Sequence, residues 1–192
     1  MIQRPTGSKL NELSVRPSPR LLLLITLVAT NLGACGGGGS VFDAQNAGSV
    51  IDVKVDPSAI VLGERATIKV RFDPATFIDS DGDESVTATD VVVLLPPGMD
   101  FVSTSSQLDG SILEGFNDRP ANTVEICPDG SRALWYEFGG GELSDLGANS
   151  IKFDGQAFEA RGAVSIRAAA RDSLGAACDV TPQGSEEITL NR

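Results

Sequence analysis

The chain has no histidine among its 192 residues. That removes the side chain most used as a general base, and with it every Ser-His or Cys-His arrangement for covalent catalysis. Aromatics are scarce, with one Trp, one Tyr and eight Phe, so a core has to be built from Val, Ile, Leu and Ala. Lysine is scarcer still beyond residue 34, where only Lys54, Lys69 and Lys152 occur. Each falls on the polar side of an alternating stretch and reads as a solvated charge, a poor start for Ser-Lys chemistry. No apolar run reaches the roughly 20 residues of a membrane-spanning helix. The longest is 14 residues, Leu21 to Ala34.

What is present begins with that run. Before it lie Arg4, Lys9, Arg16 and Arg20 against a single acid, Glu12. After it come Cys35 and Gly36-Gly-Gly-Gly39-Ser40. A basic segment, a short apolar segment and small residues at a cut site are the pattern of an export signal. Leu32-Gly33-Ala34-Cys35 resembles a bacterial lipobox, with the cysteine at position +1. The resemblance implies cleavage before Cys35, a diacylglyceryl group on its thiol and often a third acyl chain on its amine. Two or more chains anchor a protein stably where one does so only marginally. In enteric members of that family an Asp after the cysteine favours the inner membrane. Gly36 therefore implies the outer membrane, at its periplasmic face or the cell surface. An ordinary cleaved signal and an uncleaved helix are the competing readings.

Residues 1–34 hold four basic and one acidic residue, so residues 35–192 carry 11 basic and 25 acidic ones, a net charge of −14. That acidity argues against nucleic acid as a partner, because phosphate contacts need clustered cations. It argues likewise against docking on an anionic lipid surface without the lipid anchor. With Cys35 lipidated, Cys127 and Cys178 remain. An even pair in an exported domain is most simply a disulfide, and two buried free thiols are the alternative. Two cysteines without histidine cannot complete the usual zinc set unless carboxylates join them.

Residues 36–49 read as a flexible tether reaching about 20 Å on average, which separates the lipidated Cys35 from a domain at 50–192. From Val50 the pattern has period two. Ile51, Val53 and Val55 alternate with Asp52, Lys54 and Asp56, and Ile68, Val70 and Phe72 alternate with Thr67, Lys69 and Arg71. Ile151 and Phe153, then Val164, Ile166 and Ala168, repeat it. Such alternation marks half-exposed antiparallel strands. Residues 86–95 read as one longer strand whose Val91–Leu95 end is buried on both faces. Residues 122–127 and 132–138 flank Pro128-Asp-Gly-Ser131, a hairpin signal. Residues 163–177 are Ala-rich, yet Ser165 and Arg167 keep the period of a strand. Residues 186–191 read as a closing strand. Turn signals between these runs, among them Pro96-Pro97-Gly98, predict an all-β sandwich.

Two stretches carry a resemblance. Thr87-Ala-Thr-Asp-Val-Val-Val-Leu-Leu-Pro-Pro-Gly-Met-Asp-Phe-Val-Ser103 resembles the strand–turn–strand signature of the conserved-repeat Ig-like module of bacterial surface proteins. Pro57-Ser-Ala-Ile-Val-Leu-Gly-Glu-Arg-Ala-Thr-Ile-Lys-Val-Arg-Phe72 is similar to that module's opening. The likeness implies an Ig-like antiparallel sandwich of Greek-key type and a stalk, spacer or adhesion role, with an envelope protein or a glycan as partner. It transfers no catalytic residue. The chain departs from the module in being a single copy, in its cysteine pair and in an acidic insertion.

That insertion is Asp79-Ser-Asp-Gly-Asp-Glu84. Asp79, Asp81 and Asp83 occupy positions 1, 3 and 5 of an EF-hand-like calcium loop, and Asp90 occupies position 12. Glu84 stands where that loop needs Gly. A solvated acidic turn and a weak calcium site are both readings of these residues, and no other cofactor is implied. Trp135 and Tyr136 must point to opposite faces of one strand. One enters the core, and the other packs under a loop or serves as a sugar-stacking platform. The sequence thus predicts a lipid-anchored envelope protein with a non-catalytic structural or binding role. A calcium-dependent adhesion or glycan-binding module is the first alternative. A carboxylate hydrolase is the second, since acids abound and no spacing singles out two.

Overall fold

The computed structural model describes residues 44–109, 117–118, 120–144, 148–173 and 175–192. The stretch read as an export signal, Cys35 and the glycine run lie outside the described residues. Among those described, the strands are β1 (Ala44–Asp56), β2 (Ala59–Val61), β3 (Arg65–Ile78), β4 (Glu84–Val86), β5 (Thr89–Leu95), β6 (Met99–Phe101) and β7 (Gln107–Asp109). They continue with β8 (Asn117–Asp118), β9 (Thr123–Ile126), β10 (Arg132–Phe138), β11 (Asn149–Ala157), β12 (Gly162–Arg171) and β13 (Gly184–Asn191). One sheet runs β1-β3-β11-β7-β8, with β4 bonded to β3 and β6 to β11; the other runs β2-β13-β12-β5-β10-β9. Neighbours are antiparallel except β2 and β13, which pair in parallel. Strands far apart in sequence, such as β3 with β11 and β5 with β12, lie side by side. These are the crossovers of a Greek-key, Ig-like β-sandwich, the fold class the sequence predicts.

The period-two stretches fall where expected. Along β3, Ala66, Ile68, Val70 and Phe72 are fully buried while Thr67, Lys69 and Arg71 face outward. From the other sheet come Tyr136 and Phe138, which meet Phe153 and Phe72 with ring centroids 6.4 and 5.8 Å apart. These contacts hold the two sheets face to face, and burying one such side chain stabilises by roughly 1.5–3 kcal/mol. Tyr136 keeps its polar end satisfied through a 2.9 Å hydrogen bond with the buried Ser106 hydroxyl.

Three local expectations change. The strand β1 begins at Ala44, so residues 44–49 of the stretch read as tether are paired with β3. Ile51 is exposed although it falls in the apolar phase of β1. The register slips between Val50 and Asp52, and the bulge hands the inward position to Val50, which packs against the core. Finally, residues 86–95 are not one strand. Val86 ends β4 in the first sheet and Thr89 opens β5 in the second. The Thr89 hydroxyl accepts from the Ala75 amide and reaches back to the Thr87 carbonyl, which satisfies the backbone where the chain changes sheets.

Pro96-Pro97-Gly98 turns the chain from β5 to β6. The Met99 amide donates to the Pro96 carbonyl at 3.2 Å, and Gly98 has φ +94°. A Cβ at Gly98 would lie 2.9 Å from the Glu159 carbonyl. Only glycine meets both demands without strain.

Candidate functional site

The acidic insertion closes the hairpin between β3 and β4. Asp79 Oδ1 accepts the amides of both Asp81 and Asp83 at 3.0 Å. The Asp79 amide donates to the Asp83 carbonyl at 2.9 Å, and Gly82 adopts φ +88°. Glu84 turns back to accept from the Thr76 hydroxyl at 2.7 Å. The loop is thus held by its own first carboxylate, as Asx-type turns are. Asp90 is elsewhere. It lies on β5 in the second sheet, opposite Arg171 and Glu137. The change of sheets at Thr87–Ala88 parts it from the turn. Among the described residues, no three acidic, cysteine or histidine side chains gather as a cation would require. The structure thus keeps Asp79, Asp81 and Asp83 in one turn and places Asp90, the fourth residue of the calcium reading, on the other sheet.

Cys127 and Cys178 are disulfide-bonded across 51 residues, with Cα atoms 5.5 Å apart. Cys127 follows β9, and Cys178 sits in a single 3-10 turn, Ala177–Asp179. The bond pins the segment between β12 and β13 onto the outer face of the second sheet. There Val92, Leu94, Cys127, Ala133 and Ala177 form a small apolar cluster, with Trp135, Cys178 and Val180 packed against it. This explains the doubly buried end of β5. Val91, Val93 and Leu95 face the main core, while Val92 and Leu94 face the pinned segment. Trp135 packs half-buried against that cluster, and Tyr136 lies in the main core. The Trp135 Nε1 is buried with no hydrogen-bond partner among the described residues.

The perturbed ionisable groups have structural causes. Asp129, in the β9–β10 turn, accepts from the Ser131 hydroxyl and the Ser131 amide, and Arg167 lies 3.8 Å away. Those hydrogen bonds, with a smaller contribution from Arg167, hold its carboxyl below the usual range. Burial pushes the Tyr136 phenol well above its ordinary value, against a smaller opposing effect of the Ser106 hydrogen bond.

Sequence reasoning placed Lys54, Lys69 and Lys152 correctly on polar faces and missed that they are neighbours. They stand side by side on the outer face of the first sheet. Their strand phases were legible, but the order β1-β3-β11 was not.

The sandwich and its surfaces define an Ig-like β-module. No protein-family model matches the chain, and no curated protein matches it by sequence. Among solved structures, the chain is similar to the collagen-binding domain of a Staphylococcus aureus adhesin, with 8% identity, TM-score 0.40 and coverage of 80% of this chain and 99% of that one. It is also similar to the collagen-binding domain of the Erysipelothrix rhusiopathiae surface protein RspB, with 9% identity, TM-score 0.41 and coverage of 65% and 41% respectively. A third similar structure is AvmM, which catalyses macrocyclization in alchivemycin A biosynthesis, with 11% identity, TM-score 0.39 and coverage of 74% and 89%. No residue role or partner is carried across likenesses this distant, which span binders and an enzyme alike.

Proposed function

We propose that this protein is a lipid-anchored module of the bacterial cell envelope, held by acyl chains on Cys35 and serving a non-catalytic binding or structural role. The carrying observation is Leu32-Gly33-Ala34-Cys35 at the end of a 14-residue apolar run with a basic leader. A disulfide in the folded part supports the same compartment, since such bonds persist in oxidising surroundings. Among the described residues, no helix is long and apolar enough to cross a membrane. Support for a non-catalytic role comes from the lack of histidine and from the structural causes of the Asp129 and Tyr136 shifts. Gly36, in place of Asp, favours the outer membrane.

Replacing Cys35 with Ser is the test. The wild-type protein fractionates with membranes, and mass spectrometry finds acylated Cys35 at its amino terminus. The variant is expected in the soluble fraction. A variant that still sediments with membranes, or a wild-type protein with an unmodified Cys35, overturns the anchor.

A further inference from the structure

Within the binding role proposed above, and resting on it, we propose that the open edge of β9 takes up an extended segment of a basic partner protein as an added strand. In that segment apolar residues alternate with Lys or Arg. The two sheet paths end on β1 and β8 and on β2 and β9. Exposed edges are templates for pairing, and folded proteins blunt them. Three of these ends are blunted. On β1, the Gln183 side chain accepts the Val50 amide at 3.0 Å, and the Ala47 carbonyl accepts from the Asp172 amide at 2.8 Å. On β2, Glu64 turns back on Val61, its carboxylate accepting the Val61 amide and its own amide donating to the Val61 carbonyl. The strand β8 is two residues long.

The fourth end is open. All of Thr123–Ile126 is exposed, and among the described residues no strand pairs beyond β9. Register decides which backbone groups face outward. The Cys127 amide donates to the Ser131 carbonyl, and antiparallel partners alternate between bonded and non-bonded pairs. Glu125, in phase with Cys127 and opposite Ala133, therefore bonds inward to β10. Val124 and Ile126 turn their N–H and C=O groups away from it. Their side chains share the face of Leu134. Ala168, Val93 and Leu134 form one buried row across β12, β5 and β10, and Val124 is its next member. There the row ends uncovered, with Val124 47% and Ile126 65% exposed. An added strand continues both the hydrogen-bond ladder and the apolar row. Main-chain bonds then supply affinity, and alternate side chains supply selectivity.

Charge selects the occupant. Glu125 points to the face opposite Val124 and forms no ion pair among the described residues. The turn Ala177–Asp179 packs against β9, tied to it by the Cys127–Cys178 bond, and its Asp179 is exposed. The cations of the neighbouring strands are engaged, Arg132 with Asp100 and Arg167 with Asp129. A Lys or Arg between two apolar residues of the incoming strand lies beside Glu125, where opposite charges on neighbouring strands attract. Residues 35–192 hold 11 basic and 25 acidic residues, so a cationic segment is drawn in and a second copy is repelled. An edge this short also buries far less than the roughly 1,200 Å² of a stable interface between copies.

The experiment titrates isotope-labelled, detergent-solubilised, full-length protein with an end-capped Lys-Val-Lys-Val-Lys-Val-Lys peptide and follows amide exchange by NMR. The comparators are Lys-Lys-Val-Val-Val-Lys-Lys, Glu-Val-Glu-Val-Glu-Val-Glu and the first peptide N-methylated at its valines. The alternating basic peptide should bind and slow exchange at the Val124 and Ile126 amides, and each comparator should bind severalfold more weakly. Val124→Pro removes an outward N–H without touching the β10 ladder and should lower affinity severalfold. Ile126→Lys should do the same, with a melting temperature within about 2 °C of wild type, as for an ordinary surface substitution. Glu125→Lys should reverse the preference for the basic over the acidic peptide. No binding of the alternating basic peptide, equal affinity for the reordered one, or wild-type affinity in both Val124→Pro and Ile126→Lys overturns the proposal. So does protection of the Val124 and Ile126 amides without peptide, which would mean that the chain itself or a second copy covers the edge. Failure here leaves the Cys35 fractionation result untouched, and failure of the anchor leaves this titration readable.

Discussion

Removing the disulfide by Cys127→Ala with Cys178→Ala should cost the domain a large share of its stability and uncover its single tryptophan. The bond closes 51 residues. The chain-entropy model assigns a loop of that length about 4 kcal/mol, drawn from the freedom regained by the unfolded chain. For a domain near 150 residues, each kcal/mol moves the melting temperature by roughly 2–4 °C, so a fall of about 8–16 °C is expected. Two further signs separate this cause from simple loss of packing. The unfolded chain expands once uncrosslinked, so the urea m-value should rise. The segment between β12 and β13 also loses its pin over Val92, Leu94 and Trp135, so Trp135 emission should shift to the red under native conditions. Urea unfolding followed by tryptophan fluorescence reads all three. A loss below about 1 kcal/mol, ordinary for a surface change, with unchanged m-value and emission, would refute the reasoning.

Tyr136 is the chain's one tyrosine, so tyrosinate absorbance reports on it alone. Its folded value is raised above the unfolded one near 10, so its contribution to stability is complete below pH ~10 and drains away as pH rises further. Absorbance should therefore appear only together with loss of the sheet circular dichroism; tyrosinate forming near pH 10 in a folded protein would contradict the buried assignment. Asp79→Ala removes the acceptor of two turn amides and should destabilise by about 1–2 kcal/mol in thermal melts. Added millimolar calcium should leave the wild-type melting temperature unchanged, and a rise abolished by Asp79→Ala would restore the calcium reading.

Alternation in 65–72, 151–154 and 163–168 exposed the strands because a half-buried sheet writes its two faces into every second residue. The doubly apolar Val91–Leu95 likewise announced a strand covered on both sides. The identity of its outer cover was not legible, since the segment around Cys178 owes its place to a crosslink across 51 residues. The slip at Ile51 was equally hidden, because a bulge is a property of a strand pair and neither strand shows it alone. The path of the acidic turn was hidden for a related reason. Asp79 Oδ1 accepts two local amides, and Asp90 departs with β5 to the opposite sheet.

By itself, the amino-acid order determined the sheet-built class of the domain, the apolar and polar phase of most strands and the cysteine pair. These depend on periodicity and composition, which are local. The tertiary structure alone decided which polar faces became neighbours. Strand order brought Lys54, Lys69 and Lys152 into one line and sent Asp90 away from Asp79. Those outcomes follow from long-range pairing, where each strand's partner is chosen by the packing of the whole sandwich.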